Sequence, residues 1–280
     1  MTFTAQDAAS WLANPRATRE TLEAFGLATK HRLGQNFLVE DNIIRKIIRL
    51  AELTSDDVVL EVGPGLGTLT VAMLDYVRAV CSIEADRELE GVLATTCKEP
   101  HQDSFVLCMG DALKATPQLV GDAYASLGVF ADAQGKEASG ALIGPNKFVS
   151  NLPYQVAATL ILLFFQEFTT LEQAVVMVQA EVADRIAAKP GTKAYGAYTA
   201  KLALYAQVSG RFEVAPGNFM PPPRVNSAVV RLERALMTDP SGTSVLTSEQ
   251  LFWVARVIDA AFAQRRKTIR NSMGASGFKK

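Results

Sequence analysis

Asn151-Leu152-Pro153-Tyr154 combines residues suited to one unusual task, alkylation of an exocyclic base amine. The lone pair of such an amine is delocalised into the ring, so the nitrogen must be made more tetrahedral before it can attack. Two acceptors aimed at its two hydrogens would do this, and the Asn151 side-chain carbonyl and the Leu152 backbone carbonyl are candidates. Pro153 has no backbone N–H and a fixed φ, which favours a rigid turn lined by acceptors. Tyr154 offers a ring face, and stacking of a base on an aromatic ring contributes about 1–3 kcal/mol. The same four residues also make an ordinary turn after a strand. The remainder of the chain has to decide between the two.

The turn must be positioned by the elements around it. Phe148-Val149 precede it, within a strand expected over 147–150, and the apolar run Val156 to Phe165 follows. Upstream, Val58 to Val62 reads as a buried strand, and Gly63-Pro64-Gly65-Leu66-Gly67-Thr68 as a glycine turn opening a helix over 69–76. A second strand over 79–83 ends at Glu84, a helix covers about 86–96, and a third strand over 105–109 ends in Gly110-Asp111. Downstream come a strand over 172–179, helices over 180–188 and about 195–206, and a strand pair over 211–214 and 227–232. Strands alternating with helices predict an α/β fold with a mostly parallel, Rossmann-like sheet. Ligands of such sheets bind beyond the carboxyl ends of the strands, where Glu61, Gly63, Glu84, Asp111 and Asn151 all fall.

The glycine turn admits a dinucleotide, a methyl donor or a purely structural role. A dinucleotide fingerprint requires Gly-x-Gly-x-x-Gly. Here Gly63, Gly65 and Gly67 give Gly-x-Gly-x-Gly, with Thr68 in place of the last glycine. Glu84 suits the ribose diol of either cofactor. Asp111, after the third strand, suits the amine of a stacked adenine and favours S-adenosylmethionine over a nicotinamide cofactor.

Composition narrows the field. A chain of 280 residues that is 49% hydrophobic has ample core. Its longest apolar run is too short to span a bilayer, and no secretory signal opens it, so a cytoplasmic protein is expected. Cys81, Cys97 and Cys108 lack close-spaced pairs, and His31 and His101 are the only histidines. Neither metal chemistry nor a disulfide scaffold is expected, and the cysteines read as packing residues. The net charge of −1 is unevenly spread: residues 51–140 carry 15 acidic and 5 basic side chains, leaving +9 elsewhere. Basic residues gather between Lys30 and Arg49 and again between Arg256 and Lys280. They form either solvated faces or a split footprint for a polyanion.

Taken in order, Gly34-Gln35-Asn36-Phe37-Leu38, Glu61 to Gly67, Glu84-Ala85-Asp86, Gly110-Asp111-Ala112, Asn151 to Tyr154, Phe219 to Ser227 and Gln264 to Thr268 resemble the KsgA (RsmA) type of ribosomal RNA adenine dimethyltransferase. The likeness covers about residues 30–273. It implies a class I methyltransferase domain over 30–236 and a small C-terminal all-α domain over 247–280, after an N-terminal extension over 1–29. It further implies N6,N6-dimethylation of two adjacent adenosines in the 3′-terminal hairpin of 16S ribosomal RNA within the immature 30S subunit, by a monomer using S-adenosylmethionine. By position, Gln35, Asn36 and Leu38 would hold the methionine end of the donor above Gly63 and Gly65. Glu84 would take the ribose, Asp111 and Ala112 the donor adenine, and Asn151 would bridge donor and target. Tyr154 and Phe219 would sandwich the flipped adenine around Leu152 and Pro153. Lys189, Lys193, Arg224, Arg265, Arg266, Lys267 and Arg270 are expected on the RNA backbone. The chain departs from the pattern in Gln155, in Ala180 and in a C-terminus shorter than is usual for the type. A resistance methyltransferase acting on large-subunit RNA and a non-catalytic ribosome-assembly factor are the alternatives.

Overall fold

In the computed structural model of the protein, residues 10–27, 35–129, 144–264 and 267–278 are described. Helix α1 (Pro15–Ala24) opens the chain and is followed by a short strand β1 (Phe37–Leu38) and helix α2 (Asp41–Ala51). The alternating part runs β2 (Val58–Val62), α3 (Thr68–Leu74), β3 (Ala79–Glu84), α4 (Glu90–Leu93), β4 (Phe105–Met109), α5 (Pro117–Ser126), β5 (Lys147–Asn151), α6 (Ala157–Glu167) and β6 (Gln173–Gln179). Then come α7 (Ala180–Ile186), α8 (Ala197–Leu202), β7 (Ala206–Val214), β8 (Phe219–Met220) and β9 (Ser227–Arg234), and finally α9 (Ser248–Phe262) and α10 (Ile269–Ala275).

Seven strands form one sheet in the order β4-β3-β2-β5-β6-β9-β7, with β9 antiparallel to both neighbours. The chain starts in the middle at β2, moves outward to β4, and crosses back to β5 on the other side of β2. The strand order therefore reverses between β2 and β5, and a crevice opens there at the carboxyl ends. Glu61-Val62-Gly63 borders it on one side and Asn151 on the other.

Strand residues alternate between two apolar layers, as the period of two requires. Val59, Val80, Val149 and Val175 join the helices α1 to α4 on one face, with Ile44, Ile47 and Leu12 wholly buried. Leu60, Phe148, Ala174 and Val176 join α5 to α8 on the other, around Tyr124, Phe164 and Leu202. At the opposite end of the strands from the crevice, Lys147 Nζ donates to the Ala51 and Glu52 carbonyls at 2.7 and 2.9 Å and lies 3.3 Å from the Asp57 carboxylate. A cation at the carboxyl end of α2 is favourable. This contact fastens α2 to the start of β5.

Several boundaries differ from the expectations. Thr18 reads from the sequence as the opening of a helix, but Asn14 caps α1, because Pro15 supplies the preset φ of a first helical residue and the Asn14 side chain accepts from Ala17 N at 2.8 Å. Asp41 reads from the sequence as the cap of the next helix, but Glu40 caps α2. Gly121, Gly128, Gly135, Gly140 and Gly144 make 115–145 read from the sequence as a loop-rich connection, yet it holds a full helix, α5, capped by Thr116 and begun by Pro117. Gly121 lies buried inside that helix, and Gly128, at φ +70°, sits just beyond its end. The segment expected as one helix over 86–96 is a 3₁₀ turn, the short α4 and a π turn. Ala206 starts β7 instead of ending a helix.

Helices α9 and α10 follow the linker at 236–246 as a small helical unit. A capping box between Thr247 and Gln250 opens α9, and Lys201 of α8 pairs with Asp259 of α9 at 2.8 Å. Ser272 Oγ, fully buried, donates to the Ala260 carbonyl and ties α10 to α9. Among the described residues no helix is long and apolar enough to cross a membrane.

Candidate active site

The crevice at the switch point encloses about 260 Å³ and brings together Gln35, Asn36, Leu38, Gly63, Gly65, Glu84, Asp111, Ala112, Asn151, Leu152, Pro153 and Tyr154. These come from widely separated parts of the chain. The strand ends deliver Gly63, Glu84, Asp111 and Asn151 side by side, and the segment around β1 folds over them as the fourth wall.

The glycine turn is bare backbone for a steric reason. Gly63 has φ +67°, and a Cβ there would stand 3.3 Å from the Pro153 ring. Gly65 has φ +64°, and its Cβ would meet the Phe37 ring at 3.1 Å. Any side chain at either position is strained and displaces a wall of the crevice. Gly67, at φ +89°, approaches Cys97 so closely that a Cβ would lie 2.4 Å from Sγ.

Two carboxyl groups stand beneath the turn. Glu84, at the end of β3, accepts from the amides of Asp86 at 2.9 Å and Gly65 at 3.4 Å. Burial pushes its pKa up, against those amide bonds. Glu61, at 1% exposure, accepts from Thr70 Oγ1 at 2.6 Å and Ser82 Oγ at 2.7 Å, both on Oε2. Burial raises its pKa to about 7, although the two hydroxyls pull the other way. Asp86 caps the 3₁₀ turn after β3 and accepts from Gln35 Nε2 at 2.8 Å, which anchors the β1 segment to the rim. Asp111 caps the turn after β4 through the Leu113 amide at 3.0 Å and remains exposed at the mouth.

The turn after β5 is held from three sides. Asn151 Nδ2 donates to the Asn36 carbonyl at 3.4 Å, so the amide presents its oxygen elsewhere as an acceptor. The Leu152 amide donates to the Met177 carbonyl at 3.1 Å, and among the described residues no backbone amide donates to the Leu152 carbonyl. Tyr154, partly buried, shares a 2.6 Å hydrogen bond with Ser227 Oγ, and burial raises its pKa, keeping the phenol neutral. Asn151, Leu152 and Tyr154 thus line one crevice.

A family profile of ribosomal RNA adenine dimethylases matches residues 26–279. This chain belongs to that family. The dimethylase is 39% identical over 265 residues to the ribosomal RNA small subunit methyltransferase A of Streptomyces coelicolor, covering 94% of this chain and 83% of the relative. To the protein of the same name from Thermobifida fusca it is 37% identical over 268 residues, again covering 94% and 83%. Among solved structures it superposes on a dimethyladenosine transferase from Plasmodium falciparum with a TM-score of 0.63 at 25% identity, covering 84% of this chain and 74% of that one. For the 23S rRNA methyltransferase ErmE the TM-score is 0.61 at 25% identity, covering 86% and 84%. The class I methyltransferase architecture and the rRNA adenine dimethyltransferase activity expected from the motifs are those of this family.

Within the dimethylase, one expected site residue lies elsewhere. Phe219 is 3% exposed and does not line the crevice. Strand β8 pairs antiparallel with β1, Leu38 opposite Phe219, and this pairing turns the ring into the core beside Phe37 and Leu38. A two-stranded ribbon, invisible as a pattern in two such short segments, sets the direction of the ring. Of the expected RNA-contacting residues, Lys189, Lys193, Arg224, Lys267 and Arg270 are exposed. Lys193 and Lys267 line a second cleft between α7, α8 and the small helical unit, with Tyr195 and Phe262 beside them. Arg224 belongs to the β8–β9 connection, three residues before Ser227. Arg265 and Arg266 lie outside the described residues. The structure adds Phe37, Thr70, Ser82 and Ser227 to the site. Their types carry no chemical signal alone; Phe37 and Ser227 each fall inside a motif, whereas Thr70 and Ser82 do not.

Proposed function

We propose that this dimethylase uses S-adenosylmethionine to place two methyl groups on N6 of each of two adjacent adenosines in the 3′-terminal hairpin of small-subunit ribosomal RNA, during maturation of the 30S subunit. The observation that carries the reading is the acceptor-lined Asn151 turn, open to the same crevice as Glu84 and Asp111. The relatives named small subunit methyltransferase A, at 37–39% identity, support the small-subunit target over the large-subunit one.

The residues present fit the donor. Gly63 and Gly65 leave a backbone cradle that a Cβ would fill, and Glu84 is a carboxylate held at the end of β3, where a ribose diol can donate to it. Asp111 and Ala112 would take the adenine, and Gln35, Asn36 and Leu38 the methionine end. When bound, the donor supplies a methyl group already activated on a sulfonium. The chain then has only to orient the acceptor nitrogen. Asn151 Oδ1 and the Leu152 carbonyl each accept one amine hydrogen, Pro153 keeps the turn rigid, and Tyr154 stacks the flipped base. As the nitrogen gains a methyl group it becomes acidic, and its proton leaves to water without a dedicated base. After the first transfer one hydrogen remains for one of the two acceptors. We further propose that residues 30–236 form the catalytic domain, that 247–280 form an RNA-binding domain, and that the enzyme acts in the cytoplasm as a monomer.

The test is tritiated methyl transfer to 30S subunits lacking the modification, with 50S subunits alongside. Radioactivity recovered from 30S RNA as N6,N6-dimethyladenosine is expected. Asn151→Ala is expected to lose about 2.7–4 kcal/mol of transition-state stabilisation, a drop on the order of 10²–10³ in rate. Counts confined to 50S material would select the large-subunit reading. Binding of donor and 30S with no transfer would leave an assembly factor.

A further inference from the structure

We infer that Ser227 is a positioning residue that holds Tyr154 in the orientation that receives the target base; the inference rests on the reading of Tyr154 as the stacking platform. The Tyr154 phenol and Ser227 Oγ lie 2.6 Å apart. Tyr154 sits on the turn after β5, whereas Ser227 is the first residue of β9, and β6 lies between the two strands. The contact therefore reaches across the carboxyl end of β6 and ties the reactive turn to a second, independent part of the sheet.

Ser227 is well placed to be the fixed partner. It is wholly buried, and its backbone is in register with Gln179 of β6 on one side and Val214 of β7 on the other. The residue before it is tied as well, since the Asn226 carbonyl accepts from the Ala180 amide at 2.9 Å. Tyr154 has no such backbone lattice. It is followed by an irregular turn into α6 and is only partly buried. A short hydrogen bond at the end of the ring therefore fixes a side chain that would otherwise be free to rotate, and ordering it in advance removes that entropy from the step of base capture. A serine with no phenol to bond would be left with a buried hydroxyl lacking a partner, so the coupling runs both ways.

The test is a double-mutant cycle on single-turnover methyl transfer with Ser227→Ala, Tyr154→Phe and the pair combined, plus Ser227→Thr. Donor affinity is measured for each, and stacking is read from 2-aminopurine fluorescence at the target position of the RNA hairpin. Either single substitution is expected to slow transfer about five- to tenfold and to weaken 2-aminopurine quenching. The double variant should be no slower than either single one, Ser227→Thr should restore most of the rate, and donor affinity should not move. Tyr154→Phe breaks the same bond without touching β9, so it carries the test if Ser227→Ala fails to fold. Effects that multiply in the double variant, or full activity in Tyr154→Phe, would overturn the inference. No methyl transfer to any RNA by the unmodified enzyme would instead refute the functional reading, and the positioning role with it.

Discussion

Glu61 places one carboxylate oxygen against hydroxyls from two different elements, Thr70 of α3 and Ser82 of β3, directly under the glycine turn. A carboxyl so buried, with hydroxyls but, among the described residues, no cation to pair with, resists ionisation. Its pKa near 7 in the folded protein against an ordinary 4.5 fixes the sign of a pH effect. Between those values the folded chain holds a proton that the unfolded chain has released, so the contribution is fully present below about pH 4.5 and is lost as the pH rises through 7. The difference amounts to about 3 kcal/mol. Urea unfolding of the wild type and Glu61→Gln at pH 5 and pH 8 should show the wild type losing stability relative to the variant by an amount of that order. An identical gap at both values would mean that Glu61 is ionised throughout. The cysteines separate in the same way. Burial drives Cys97 up to about 12, and Cys81 is raised by the hydrogen bond it shares with Cys108 and by its own burial. Cys108, at the partly exposed edge strand, is brought down to about 7 by the hydrogen bond it shares with Cys81 Sγ across 3.8 Å. Alkylation of the native protein should therefore modify Cys108 first, with a rate that climbs through neutral pH, and leave Cys81 and Cys97 until unfolding; peptide mass spectrometry reads the order. The sequence marked all three only as packing residues, since nothing in their spacing shows that β3 and β4 set two of them in contact.

The glycine turn shows how an element's geometry constrains residues distant in the chain. Gly67 caps α3 in the left-handed region and faces Cys97 on the π turn after α4. Gly67→Ala must both strain the backbone and push Sγ aside, and overpacking of this kind costs about 1–3 kcal/mol. Cys97→Ala added to it should recover part of the loss in thermal unfolding, because it removes the atom 2.4 Å from the new Cβ. No recovery would show that the left-handed φ, rather than the contact, carries the cost. That turn was legible from sequence because three glycines after an apolar strand have few other uses, and the same holds for the acids that end β3 and β4. The elements that escaped have specific reasons. Helix α5 hid because Gly121 and Gly128 resemble loop residues, although one packs inside the helix and the other ends it. Strands β1 and β8 are two residues each, below the length at which any period can appear. The direction of Phe219 was not legible for that same reason, since it depends on the pairing with Leu38 and not on its neighbours.

Charge organises the whole molecule. The segment 51–140, which supplies β2, β3 and β4, is strongly acidic, and the rest of the chain is basic by 9 charges. The exposed cations expected on RNA sit on the basic part: Lys189 and Lys193 after α7, Arg224 before β9, and Lys267 and Arg270 around α10. A folded RNA hairpin is held mainly through phosphates and shape, so each such cation that meets a phosphate releases counterions on binding. Arg224 is the telling member, because it lies three residues from the serine that grips Tyr154, whereas Lys193 and Lys267 share the cleft beneath the helical unit. Arg224→Gln, Lys193→Gln and Lys267→Gln should each weaken hairpin binding at every RNA sequence and reduce the slope of log affinity against log salt by about 1. Donor affinity should stay unchanged in all three, since none of them lines the donor crevice. Lys98→Gln, a cation exposed on the acidic part, should leave the slope untouched. A slope that falls for Arg224 alone would confine the RNA to the mouth of the crevice. One that falls for Lys193 and Lys267 as well would extend the footprint across α7 to the small helical unit, which requires the two parts of the chain to grip one RNA together.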